Sequence, residues 1–66
     1  MKLDCKRLEE FRVRRGLNQT ELADRAGMSR QWLSVVLLRG STTPETAVKI
    51  ADALEVKLTD ILKEEP

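Results

Sequence analysis

The chain has 66 residues, 41% of them hydrophobic and 35% charged, with a net charge of +1, a single cysteine and no histidine. A domain of that length buries only about 60% of the surface its unfolded chain exposes, so one domain without a large enzyme pocket is expected. Cys5 alone closes no internal disulfide, the usual Cys/His metal sites are excluded, and no apolar leader core or membrane-length run occurs, which points to a cytoplasmic, cofactor-free protein.

Punctuation along the chain predicts five helices, no strand pair, and one domain over 1–66 with an ordered core at about 4–63. The first helix spans about Asp4 to Arg15, with Leu8 and Phe11 inward and Gly16 placed for a left-handed stop. Asn18 caps the second, because Glu21 follows at the capping-box distance, and Leu22, Ala23 and Ala26 form its inner stripe up to Gly27. Ser29 caps the third, which stops near Arg39 with Gly40 beyond. Thr43 caps the fourth with Pro44 at its first position, and Ala47, Val48, Ile50, Ala51 and Leu54 make its apolar side. A short fifth helix covers about Leu58 to Lys63. Only Met1 to Leu3 and Glu64 to Pro66 read as frayed.

Charge is unevenly placed on these elements. Residues 1–40 hold nine Lys/Arg against five acids, a surplus of four, whereas 41–66 hold three against six. Such an asymmetry suits one face for a polyanion and another that is merely hydrated.

The second and third helices are the informative pair. So short a turn at Gly27 and Met28 makes them cross steeply, and a residue without a side chain is expected at the pivot. At Gln19, Ala23, Gly27, Leu33 and Val36 the sequence resembles the helix-turn-helix of phage-repressor and Cro-type DNA-binding domains, the XRE or lambda-repressor-like family. The resemblance extends over most of the chain: "LEEFRVRRGLNQTELADRAGMS" is similar to the family's first two helices and "PETAVKIADALEV" to its fourth. It implies an all-α five-helix fold and a DNA-binding transcriptional regulator, a repressor by preference.

Rotating the third helix at about 100° per residue divides its aliphatic run between two faces. Leu33, Val36 and Leu37 turn to the core; Arg30, Gln31, Ser34 and Val35 form the face that the family presents to the major groove. The residue types suit base edges, since Arg pairs with guanine, Gln with adenine, and Val packs on a thymine methyl. By the same resemblance Gln19 reaches a phosphate, and Arg39, Ser41 and Thr42 run along the sugar-phosphate chain with free N–H groups; Thr43 is better read as a cap. Trp32 lies at the border of the two faces, with packing preferred, and Leu38 falls among the DNA-facing positions. Ile61 and Leu62 are expected to join two copies into a homodimer spanning one helical turn of duplex.

Three departures from the family pattern stand out. Leu37 replaces a glutamate that pairs with the arginine corresponding to Arg12, which leaves Arg12 to point to solvent or DNA. Gly40 falls one residue late, so the exit of the third helix is expected to differ. Glu55 replaces a helix-ending glycine and Lys57 a cap, so the fifth helix is expected to fray. The competing reading is a protein-interaction module on the same fold, such as an antitoxin that binds a toxin, favoured by the "VVLL" run and near-neutral charge. An enzyme is disfavoured, because without histidine no nucleophile and base can be paired.

Overall fold

The computed structural model describes residues 1–63 and holds five helices among them: α1 (Cys5–Arg14), α2 (Gln19–Arg25), α3 (Arg30–Arg39), α4 (Pro44–Leu54) and α5 (Leu58–Ile61). Each of the first four starts on a side chain that accepts from an otherwise orphaned N–H. Asp4 accepts from Arg7 at 3.2 Å, Asn18 from Glu21 at 2.8 Å, Ser29 from Trp32 at 3.1 Å and Thr43 from Thr46 at 3.4 Å. Glu21 returns the bond to the Asn18 N–H at 3.1 Å and completes a capping box.

The same four helices end on a residue of positive φ: Gly16, Gly27, Gly40 and Glu55. At Gly27 the Met28 N–H donates to Ala23 O and the Gly27 N–H to Asp24 O, the paired bonds of a Schellman stop. A side chain built on Gly27 would meet nothing within 4 Å, so its left-handed φ of 71°, and not crowding at the pivot, is what calls for glycine. Glu55 adopts φ 56° without being glycine, and Val56 and Glu55 donate to Ala51 O and Asp52 O in the same pattern. Arg15 meets it there, Nη1 to Oε2 at 2.9 Å.

α5 is shorter than the spacing predicts. Asp60 accepts from the Lys57 N–H at 3.0 Å, but a lysine side chain has no acceptor to offer in return, so the cap is one-sided. The chain then leaves the helix at Leu62, which is extended and bridges to Leu3.

That bridge overturns the frayed start expected at Met1 to Leu3. Leu3 is buried, its N–H donates to Gly40 O at 2.8 Å, and the N–H of Asp4 donates to Ile61 O at 2.8 Å. Lys2 bridges to Ser41, its carbonyl accepts from the Lys63 N–H at 3.0 Å, and Met1 and Thr42 exchange backbone bonds. Leu3 and Leu8 stand immediately before the Asp4 cap and at the fourth helical position, the spacing of a hydrophobic staple, and both join the core. The other frayed segment, Glu64 to Pro66, lies outside the described residues.

The described helices share one core, in which Leu8, Leu22, Leu33, Ile50, Leu54 and Ile61 are fully buried and Ala23, Ala26, Ala47, Ala51 and Ala53 allow close approach. α2 packs on α3 and α4, and α5 on α1 and α4. Val48, assigned to the apolar side of the fourth helix, is instead exposed: it lies about 100° around from Ala47, beyond the buried stripe.

Leu33→Ala is expected to cost about 2 to 5 kcal/mol, the usual loss for truncating a buried leucine, and Leu3→Ala to fall at the lower end of that range. Arg30→Ala, on the surface, should stay within about 0.5 kcal/mol. Urea denaturation of the three variants checks the order; a Leu3→Ala midpoint equal to wild type would show that the N-terminal segment is not part of the core.

Candidate nucleic-acid interface

The two rows of side chains on α3 are separated by burial as its periodicity requires. Leu33 and Val36 are buried and Leu37 is partly buried, whereas Arg30, Gln31, Ser34 and Val35 are exposed. The side chains of Arg30, Gln31 and Ser34 make no hydrogen bond or ion pair with the rest of the described chain, so their polar groups remain available to a partner. α3 carries two arginines, one near each end, and no acid. Arg30 sits at the rim of a shallow hollow with Thr20, Glu21, Ala23, Asp24 and Met28, so the first turn of α3 has carboxylates on its α2 side.

Gln19 occupies the first position of α2 and is partly buried, one residue beyond the Asn18 cap. On the other flank, Arg39 and Ser41 are exposed and Thr42 is partly buried, and all three line a cleft with Met1, Trp32, Thr43 and Pro44. Here the sequence expectation of free N–H groups needs correction. The Thr42 N–H donates to Met1 O at 3.0 Å and its carbonyl accepts from the Met1 amine at 2.9 Å, which leaves Thr42 only its hydroxyl. Thr43 is a cap, as read from sequence. Trp32 packs only in part, remaining 44% exposed along the wall of that cleft.

Arg12 is not the unpartnered cation that the loss of the family glutamate implies. Its guanidinium binds Glu9 on the preceding turn of α1 through Nε and Nη2, and Nη1 donates to Leu17 O at 2.7 Å. The hydrogen bond to Glu9 raises its pKa above the usual arginine value despite desolvation, so it stays charged and occupied inside the fold. The spacing of three between Glu9 and Arg12 was a readable signal for the pair. Leu37, in the glutamate's place, packs against the core, and its carbonyl accepts from the Cys5 thiol at 3.5 Å. Burial, followed by Asp4 and Glu9, pushes that thiol up, which keeps it protonated and unreactive near neutral pH.

Ile61 also departs from expectation. It is completely buried in the core of a single chain, because α5 turns that side chain toward α1 and α4, and it has no surface to give a second copy. Leu62 is partly buried and engaged in the bridge to Leu3, and Leu58 is the other partly buried apolar residue of this segment. No described helix is long and apolar enough to cross a membrane.

Comparison with known proteins is consistent with this geometry. The family model for helix-turn-helix domains matches residues 8–61. The crystal structure of the restriction-modification controller protein C.AhdI from Aeromonas hydrophila superposes with a TM-score of 0.74 at 29% identity, covering 85% of this chain and 86% of that one. No curated protein sequence matches significantly.

Arg12→Ala should cost about 1 to 3 kcal/mol, since it strands the Leu17 carbonyl and removes a charge-assisted bond to Glu9. Thermal unfolding reads this directly. An unchanged midpoint together with weakened DNA binding would place the Arg12 head on DNA instead.

Proposed function

Because the chain belongs to the helix-turn-helix family and is a DNA-binding transcriptional regulator, not an enzyme, we propose that it is a repressor whose α3 enters the major groove of an operator. The observation that carries this reading is the outer arc of α3, where Arg30, Gln31, Ser34 and Val35 stand exposed with their polar groups unspent. Arg30 and Gln31 lie in the first turn of α3, the end that docks deepest in this class of motif, and they address guanine and adenine edges respectively. Ser34 and Val35 contact the next bases along the groove.

Gln19, Arg39, Ser41 and Thr42 hold the phosphates on either side and set the register without reading sequence. The similarity to a controller protein supports a role in controlling transcription, and occupation of an operator is the simplest way for a reader of this size to do so. One α3 spans too few base pairs for selectivity, so two copies act together, about 34 Å apart on an inverted repeat. With Ile61 buried, the contact between copies falls to the surface around Leu62 and Leu58. The protein works in the cytoplasm, where its operator is.

The test is a set of affinities at one fixed salt concentration, against a duplex selected from random sequence and its single-base variants. Gln19→Ala should weaken binding to matched and mismatched duplexes by a similar factor. Arg30→Ala and Gln31→Ala should each cost about 1 to 3 kcal/mol on the matched site and much less where the contacted base pair is already altered. If neither variant changes the preference at any base pair, α3 is not the reader. Absence of any salt-dependent duplex binding would favour the protein-interaction reading.

A further inference from the structure

Leu38 is 89% exposed, more than any other large apolar side chain among the described residues. A single exposed leucine ordinarily needs no explanation. This one has a definite setting. Three residues after Val35 and four after Ser34, it is their neighbour on the helix surface, and it lies about 20° around the axis from Gln31. Because Gly40 does not end α3 until after Arg39, Leu38 is held in helical register with the reading face. Val35, 36% exposed, completes an apolar pair.

We propose that Leu38 joins Val35 in reading the C5-methyl groups of thymine, so that each half of the operator carries thymine at positions met by the C-terminal half of α3. This rests on the α3 reading argued above and extends it to the composition of the site. The occupant is duplex DNA because the pair does not form a patch of its own. Gln31 and Ser34 interrupt it, Arg30 and Arg39 stand toward the two ends of the helix, and α3 contributes no acid. That mosaic of donors, cations and two small apolar surfaces matches a major-groove edge, where the thymine methyl is the one apolar group among the base-pair signatures. A continuous apolar protein surface would bury the polar members against nothing. Leu38 lies eight residues beyond Arg30, about 12 Å along the helix, so the two side chains meet different base pairs.

Deoxyuridine tests this, since it differs from thymidine only by the methyl group. Each thymine of a selected duplex is replaced singly, and affinity is measured at fixed salt for the full wild-type chain, Leu38→Ala and Val35→Ala. Both substitutions are at exposed positions, and unchanged thermal midpoints confirm that the fold is intact. The wild-type chain should lose roughly two- to fourfold at the thymines it reads, the worth of one buried methyl. The loss at one of them should vanish in Leu38→Ala, and the loss at another in Val35→Ala. Wild-type indifference to every replacement, or penalties that persist unchanged in Leu38→Ala, would overturn the proposal while leaving DNA reading by Arg30 and Gln31 intact. A Leu38→Ala variant that binds every duplex like wild type but changes its self-association would assign Leu38 to a protein contact and overturn it as well. Failure to bind any duplex removes both readings together.

Discussion

The rotation of α3 about its own axis is fixed by two buried side chains, Leu33 and Val36, and what the protein can present to a partner follows from that. With those two inside, Arg30, Gln31, Ser34, Val35 and Leu38 are outside by geometry. The rotation needs a rigid counterpart, and α2 supplies it: Leu22 and Ala23 are buried, and the paired bonds around Gly27 set the angle at which the chain re-enters α3. In a core of this size there is little redundancy, so the same few leucines hold the fold together and fix which face of α3 is exposed.

Electrostatic arrangement follows a division of labour that net charge conceals. Arg12 and Arg15 are spent inside the molecule, on Glu9 with the Leu17 carbonyl and on Glu55. Arg7 lies 4.0 Å from Asp60 and over the Phe11 ring. The exposed ion pairs stabilise little. Their consequence is that three of the arginines of the basic half already have partners within the chain. Arg30 and Arg39 on α3 carry no such commitment.

What was legible in the sequence is what depends on neighbours in sequence. The caps Asn18, Ser29 and Thr43, the glycine stops and, apart from Val48, the inward stripe of each long helix are encoded within a turn or two, and the structure has them where spacing puts them. Where sequence and structure part, the deciding partner is distant in the chain or lies one helical turn away. Nothing adjacent to Leu3 shows that Gly40 and Leu62 wait for it, although its spacing from Leu8 hinted at burial. Ile61 looked available because a short terminal helix gives periodicity too few residues to distinguish inner from outer. Glu55 lacks the glycine that a left-handed stop favours, yet the surrounding bonds hold it there, so tertiary context decided what propensity alone had left against it. For Arg12 the family pattern has the partner at the position of Leu37, whereas here Glu9, one turn earlier in α1, takes that role.

The N-terminal segment ties together two places that the helices leave apart: the loop after α3 and the chain after α5. Its bond from Met1 to Thr42 closes a loop of 41 residues, and such closures carry more ordering entropy for fewer contacts than anything within the helices. Release of Met1 and Lys2 would therefore expose the Thr42 amide and free the Lys63 N–H at the same moment, whereas Leu3, buried in the core, keeps its hold on the exit of α3 through Gly40. The exits of α3 and α5 are thus tied to one another through the start of the chain, although the two helices are far apart in sequence.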